Sequence, residues 1–506
     1  MSDPAISPPG PSGAPEASAP DPHRWWGLAV IATAQLMVVL DATIVNIALP
    51  SAQRDLGLTD ANRQWVITAY TLAFGGLLLL GGRIADLVGR KRTFVIGLIG
   101  FAAASAIGGA AFNGSMLFGA RALQGVFAAI LAPSALSLLT TTFSDGRDRA
   151  KAFGIYGAIA GSGAAIGLLL GGILTEYLDW RWCLYVNVPI AVLAVFGASA
   201  LLHDRAGHRE VTLDIPGVIL GCGGLVAIVY GLSEAQAHGW SSRLVLGLLI
   251  GGVVLLAVFT WWQTRAERPL LPLHIIRNRD RGGSMLTMCL AMIGLFGLFL
   301  FMTYYLQTIL GYSPIRSGLA FLPMSALIIL TSTQVAARLL HRVPPRLLMG
   351  PGLLIGACGM FSLTFIGTHS SYVTHVLPGT LLIGVGMGLT FMPVMATATA
   401  GVAQRDSGVT SASVNTAQQI GGSIGTALLN TIATTTTANW LAGRLPGATS
   451  KLEKAQLVKS GVVHGFTVAT GWAALIMLVG AVLAVLLVSA HSPRRSEAAA
   501  AEALTP

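Results

Sequence analysis

Two charged residues stand alone inside apolar stretches, and they are the residues best placed to do chemistry. Asp41 lies in Leu40-Asp-Ala-Thr-Ile-Val-Asn-Ile-Ala-Leu-Pro50, and Arg121 lies in Leu117-Phe-Gly-Ala-Arg-Ala-Leu-Gln124-Gly125. A charge in hydrocarbon is costly unless it is paired or wet, and burial favours the neutral form of a carboxyl. A carboxyl so placed can take up and release a proton at working pH. The competing reading is an ion pair that only locks helices together. Counted from the outer ends of their stretches, Asp41 lies about nine residues deep and Arg121 about six, so their depths differ by roughly 5 Å. The two can therefore meet in one cavity, although Arg121 could instead snorkel outward along its own helix.

A second group of candidates is the loop Gly82-Arg-Ile-Ala-Asp86-Leu-Val-Gly89-Arg90-Lys91-Arg92, which joins two stretches long enough to cross a membrane. Basic residues hold such a short loop on the cytoplasmic side. Asp86 can accept hydrogen bonds from a helix N-terminus or pair with an arginine. A third group is the run Gly163, Gly167, Gly171 and Gly172. It makes either a smooth face on which two bundles slide or a tight seam inside one bundle. Polar groups at membrane depth complete the inventory: Gln35, Asn46, Tyr70, Gln124, Tyr156, Tyr304, Tyr305, Gln307, Gln334, Asn415, Gln418 and Gln419. They are candidate linings of a cavity, and part of the set could equally serve as hydrogen bonds between helices.

The elements that must hold these groups follow from composition. Of 506 residues, 54% are hydrophobic and 10% charged, with a mean hydropathy of +0.71, whereas a soluble domain carries about a quarter charged residues. A spanning helix needs roughly 20 apolar residues. Fourteen stretches between residues 26 and 489 meet that need. The expectation is an all-α polytopic membrane protein of two six-helix bundles, 25–203 and 265–489, flanking an inserted helix pair at 204–264. Residues 1–24 and 490–506 read as disordered tails. With the N-terminus inside, 21 of the 31 lysines and arginines fall in cytoplasmic segments, so both termini are expected in the cytoplasm and the protein in the cytoplasmic membrane. Pairs such as Gly157/Gly161 and Gly421/Gly425 mark close helix contacts.

Other function classes find little support. The net charge of +10 is spread through short loops, which argues against nucleic acid. No lysine follows a glycine, so there is no Gly-Lys-Ser/Thr phosphate loop. The ten histidines form no spaced metal-ligand cluster. Neither an enzyme, a metal nor an organic cofactor is expected. Cys183, Cys222, Cys289 and Cys358 read as small buried hydrophobes, and Trp65, Trp180, Trp182, Trp240 and Trp440 as anchors at the outer membrane surface.

Six motifs in order resemble the fourteen-span drug:proton antiporter branch of the major facilitator superfamily. They are Leu40–Pro50, Gly82–Arg92, Leu117–Gly125, Trp180-Arg-Trp-Cys-Leu-Tyr-Val-Asn187-Val-Pro189, Tyr305-Leu-Gln307 with Gly311, Gly318 and Pro323, and Asn415-Thr-Ala-Gln418-Gln-Ile-Gly421-Gly-Ser-Ile-Gly425. The resemblance implies export of lipophilic small molecules such as drugs or antibiotics, powered by the proton motive force. Asp41 would carry the proton, Arg121 would be its basic partner, and Asp86 would belong to a conformational latch. The family's fifth span has Gly-Pro where this chain has Gly167-Leu168, which removes a kink point. A proton-coupled importer on the same fold, or a non-transporting membrane receptor, is the alternative. The partners expected are cargo, protons and the lipid bilayer, with the protein working as a monomer.

Overall fold

The computed structural model describes residues 23–59, 62–143, 146–202, 214–266, 269–271, 273–340, 342–400, 402, 407–445 and 450–489. The expected tails, apart from residues 23 and 24, lie outside the described residues, as do the side chain of Asp86 and positions 157 and 161 within their helix.

Every element among the described residues is helical. In hydrocarbon no water can satisfy a backbone N–H or C=O, so an apolar stretch must bond within itself. Fourteen rods follow in order: α1 (Arg24–Asp55), α2 (Trp65–Val88), α3 (Arg90–Gly109), α4 (Gly114–Thr142), α5 (Gly146–Tyr177), α6 (Trp182–Leu201), α7 (Ile215–His238), α8 (Arg243–Gln263), α9 (Arg279–Ile309), α10 (Pro314–Leu340), α11 (Arg346–Phe365), α12 (Tyr372–Thr399), α13 (Ser407–Ala442) and α14 (Lys451–Leu487). A single turn, Leu273–Arg277, precedes α9. Polar caps fix several starts: the side chains of Asn113, Asp214, Asn278, Ser313 and Ser450 each accept a backbone N–H of the first turn. Gly89 sits at φ 102° between α2 and α3, a backbone that a side chain would strain.

Eleven helices among the described residues are long and apolar enough to cross a membrane. Helix α13 carries Thr, Ser, Asn and Gln along its length.

Helices α1–α6 pack among themselves, with α4 between α2 and α3, and α1 against α5 and α6. Helices α9–α14 form a second group, in which α9 lies against α13 and α14, and α11 against α12 and α14. The groups meet along two seams, α5 with α10 and α2 with α13. Helix α7 lies over the second seam: Leu72 of α2, Val229 and Leu232 of α7, and Ala427 of α13 share one apolar cluster. Thr431 of α13 also donates to the Leu232 carbonyl at 2.8 Å. Helix α8 touches chiefly α7.

Candidate functional site

Asp41 and Arg121 meet at the centre of the first helix group. Arg121 Nη1 donates to Asp41 Oδ2 at 2.5 Å, and the two side chains are 1% and 0% exposed, so no water screens the pair. Asp41 Oδ1 accepts from Gln124 Nε2 at 3.0 Å and from Asn187 Nδ2 at 2.9 Å. Gln124 is held in turn: its Oε1 takes a second bond from Arg121 Nη1 at 2.9 Å, and its Nε2 donates to Ser105 Oγ at 2.6 Å. Arg121 Nε donates to the Val66 carbonyl at 2.9 Å, and its guanidinium lies 4.3 Å from the centre of the Tyr70 ring. Five helices thus meet around one carboxyl group. A buried charge pair gains little over apolar packing, but losing one partner is severe, so a change of charge on Asp41 must rearrange its neighbours.

A void of about 10 Å³ lies beyond Arg121, between the pair and the end of the bundle where α1 finishes. Val45, Leu49, Val66, Trp180, Cys183 and Leu184 wall it. The space matches a single water, and its walls are apolar apart from Arg121.

The bonds that join the two groups gather toward the face opposite the Gly82–Arg92 loop, here called the far face. Gln64 accepts from Asn430 Nδ2, and Thr68 and Thr426 lie 3.3 Å apart across the α2–α13 seam. Tyr304 donates to Gln53 Oε1 at 2.5 Å, with the Arg63 guanidinium 3.8 Å from its ring centre. Gln307 Nε2 donates to the Ile47 carbonyl at 3.0 Å; it sits in a widened turn, Tyr305–Ile309, at the end of α9. At the other seam the Ile315 N–H, in the first turn of α10, donates to Glu176 Oε2 at 2.9 Å.

The glycine run divides between two duties. A Cβ on Gly163, Gly167 or Gly171 would meet Val39, Thr43 or Ile44 of α1, so these three make a seam within the first group. A Cβ on Gly172 would lie 2.7 Å from the Ile315 Cα, so Gly172 faces the second group. Helix α5 is continuous through Leu168, whose carbonyl would stand 2.6 Å from a Cβ on Gly318. In the loop, Arg83 Nη2 donates to the Pro269 carbonyl at 2.5 Å and Lys91 Nζ to the Ser199 carbonyl at 2.9 Å. Gly82 has Pro133 as its nearest neighbour. Arg90 and Arg92 are engaged at the start of α3.

The other candidates are scattered. Tyr156 donates to Gln35 at 2.7 Å, Asn46 bonds back to the Ala42 carbonyl, and Tyr305 donates to the Gly367 carbonyl. Gln418 approaches Met288 Sδ at 3.6 Å; Asn415 is half-buried. Gln334 is exposed and accepts from Arg338. Gly421 and Gly425 admit the Cys289 and Ile293 carbonyls of α9. Trp180 is a correction: it is 4% exposed and donates to Asp55 at 3.1 Å, a plug rather than a surface anchor. The cysteines, too, are not all buried: Cys358 is exposed, Cys222 and Cys289 are half-buried, and Cys183 is buried. The residues missed are Asn187, Ser105 and the Val66 carbonyl. Asn187 carried a signal, since it lies in the Trp180–Pro189 motif.

A polytopic helical protein of two six-helix groups, the first built around a buried acid–arginine pair, has the architecture of a membrane transporter. The Major Facilitator Superfamily profile matches residues 31–426, and the chain belongs to that family. It is 55% identical to the puromycin resistance protein pur8 of Streptomyces alboniger, over 95% of each chain. It is 40% identical to the cephamycin export protein CmcT of Amycolatopsis lactamdurans, over 80% of this chain and 84% of that one. Among solved structures, a bacterial homologue of the human lysosomal transporter Spinster, inward-facing and unoccupied, superposes with a TM-score of 0.64 at 16% identity, covering 92% of this chain and 97% of that one.

Proposed function

We propose that this chain exports lipophilic small molecules, antibiotics among them, across the cytoplasmic membrane in exchange for inward-moving protons. The observation that carries the reading is the Asp41–Arg121 pair: one titratable carboxylate that α2, α3, α4 and α6 all reach directly or through a neighbour. Adding a proton there weakens a bond to each, which gives a pH gradient a handle on the conformational equilibrium. Relatives that confer puromycin resistance and export cephamycin support an antibiotic cargo.

In this reading all fourteen rods cross the bilayer. Bundles 25–203 and 265–489 flank the pair at 204–264, both termini lie in the cytoplasm, and one chain suffices. The far face is then the outer face, and its bonded seams describe a state closed to the outside. Asn46, Gln307, Asn415 and Gln418 lie along the path offered to cargo, and the Gly82–Arg92 loop serves as the latch on the cytoplasmic side. With one internal acid, the cavity suits neutral and monocationic lipophiles, because a second buried cation would go unpaired.

The test is uptake of labelled puromycin, a monocation when its amine is protonated, into everted vesicles with an acidic lumen. Accumulation should require the pH gradient and disappear with a protonophore. At one proton per cargo this exchange is electroneutral, whereas a neutral lipophile should respond to the membrane potential as well. Accumulation that persists without any proton gradient would refute the reading.

A further inference from the structure

Around Asp41 every neighbour donates. Oδ2 faces Arg121 Nη1, and Oδ1 faces the amide nitrogens of Gln124 and Asn187. This shell suits a carboxylate, which only accepts. A protonated carboxyl must also donate, and none of these three contacts presents an acceptor to it. Burying an unmatched O–H is costly, so the neutral form needs one neighbour to turn.

Gln124 cannot be that neighbour while the arginine stays, because its Oε1 already takes Arg121 Nη1 at 2.9 Å. Asn187 is differently placed. It is fully buried, its Nδ2 reaches Asp41 Oδ1 at 2.9 Å and Ser105 Oγ at 3.3 Å, and its Oδ1 has no hydrogen-bond partner. Turning its amide over would bring Oδ1 to Asp41 and Ser105. Ser105, a hydroxyl that now accepts, can donate to it instead.

We propose that Asn187 is the positioning residue that lets Asp41 change charge. When Asp41 is ionised the amide nitrogen donates to it; when Asp41 binds a proton arriving from the acidic side, the amide turns and Oδ1 accepts the new O–H. The Nδ2 contact with Ser105 is lost in the same turn, and the Ser105 hydroxyl donates to Oδ1 in its place. Arg121 on α4, Tyr70 on α2 and Cys183 on α6 are the other titratable or charged groups that feel the Asp41 carboxyl among the described residues. The Tyr70 oxygen is buried without a partner. The inference rests on Asp41 as the proton carrier.

Two variants separate a switching amide from a merely structural one. Asn187→Thr supplies a hydroxyl that donates or accepts as required, and Asn187→Leu supplies neither. Proton-driven accumulation in vesicles should fall about tenfold or more in Asn187→Leu, the scale of one hydrogen bond to an ionised group, and recover substantially in Asn187→Thr. Infrared difference spectra of the purified protein across a pH step should show a carboxyl band that Asp41→Asn removes, together with a side-chain amide band that Asn187→Thr removes. A carboxyl band without the amide band would overturn the role of Asn187 and leave Asp41 as carrier. The absence of any band belonging to Asp41 would overturn both. Coupling retained in Asn187→Leu would also overturn the inference.

Discussion

Asn430 on α13 donates its amide to Gln64, the residue capping α2, two residues before Val66, whose carbonyl takes Arg121 Nε at 2.9 Å. The start of α2 is therefore gripped from both sides, by the second helix group at its cap Gln64 and by Arg121 at Val66. Thr68, one turn on, adds its contact to Thr426. The Asp41–Arg121 pair is linked to the far-face seam by two hydrogen bonds and a short stretch of backbone.

Loosening that seam should favour the state open at the far face. Asn430→Leu removes one buried bond, and the open population should rise about fivefold for a loss of about 1 kcal/mol. Spin labels at Asn62→Cys and Ala442→Cys, in a background without the native cysteines, would read the change as a longer distance component. An unchanged distribution would show that this bond does not hold the seam.

The glycines predict two different kinds of damage. Gly171→Ala would place a Cβ 2.8 Å from the Ile44 carbonyl inside the first group, and overpacking of this sort costs about 1–3 kcal/mol. Its melting temperature in detergent should drop. Gly172→Ala crowds Ile315 of the second group instead. It should open the far-face seam in the same spin-label measurement while the melting temperature changes less. If both variants lower stability equally and neither alters the distances, Gly172 is simply part of a packing seam.

At the loop face, Arg83→Ala removes the bond to Pro269, and Asp86→Ala and Arg90→Ala strike the proposed latch. All three should slow turnover roughly tenfold, the scale of one charge-assisted bond, while cargo affinity in detergent stays within about a factor of two. A large loss of affinity at unchanged turnover would place these residues in binding rather than switching.

Asp214 gives a pH dependence away from the transport site. Burial pushes its carboxyl up, but hydrogen bonds from Trp262, the Gly217 N–H, Gln263 and the Leu270 N–H outweigh it, so its pKa lies below the ordinary value. A depressed carboxylate stabilises the fold above its unfolded pKa, near 3.9, and that contribution fades as pH falls through the folded value. Asp214→Asn should therefore melt below the parent protein near pH 7, with the gap narrowing at about pH 4 and below. A gap independent of pH would assign the effect to shape alone.

What could be read from the sequence followed from how costly a feature is in hydrocarbon. The Asp41–Arg121 pairing was legible because neither charge tolerates an apolar helix alone, and the helical rods were legible because apolar length dictates them. Asn187 and Ser105 were not, since small polar residues inside a span are cheap and common. The glycine run announced close packing without naming the partner. Only the three-dimensional arrangement separates Gly171, against α1, from its neighbour Gly172, against α10. Trp180 misled because tryptophan at a span end usually faces the interface, and Asp55, the exposed carboxylate that accepts its indole N–H, lies 125 residues away in the chain. The widened turn that aims Gln307 at Ile47 has no composition of its own.

The central claim is that Asp41 couples proton movement to cargo, and Asp41→Asn tests it most directly. Asparagine keeps the shape and polarity but cannot carry a proton. In reconstituted vesicles the variant should insert, bind labelled puromycin and exchange it down its gradient, yet fail to accumulate it under an imposed pH gradient. Uphill accumulation by Asp41→Asn at the parent rate would contradict the account and move the proton to another group.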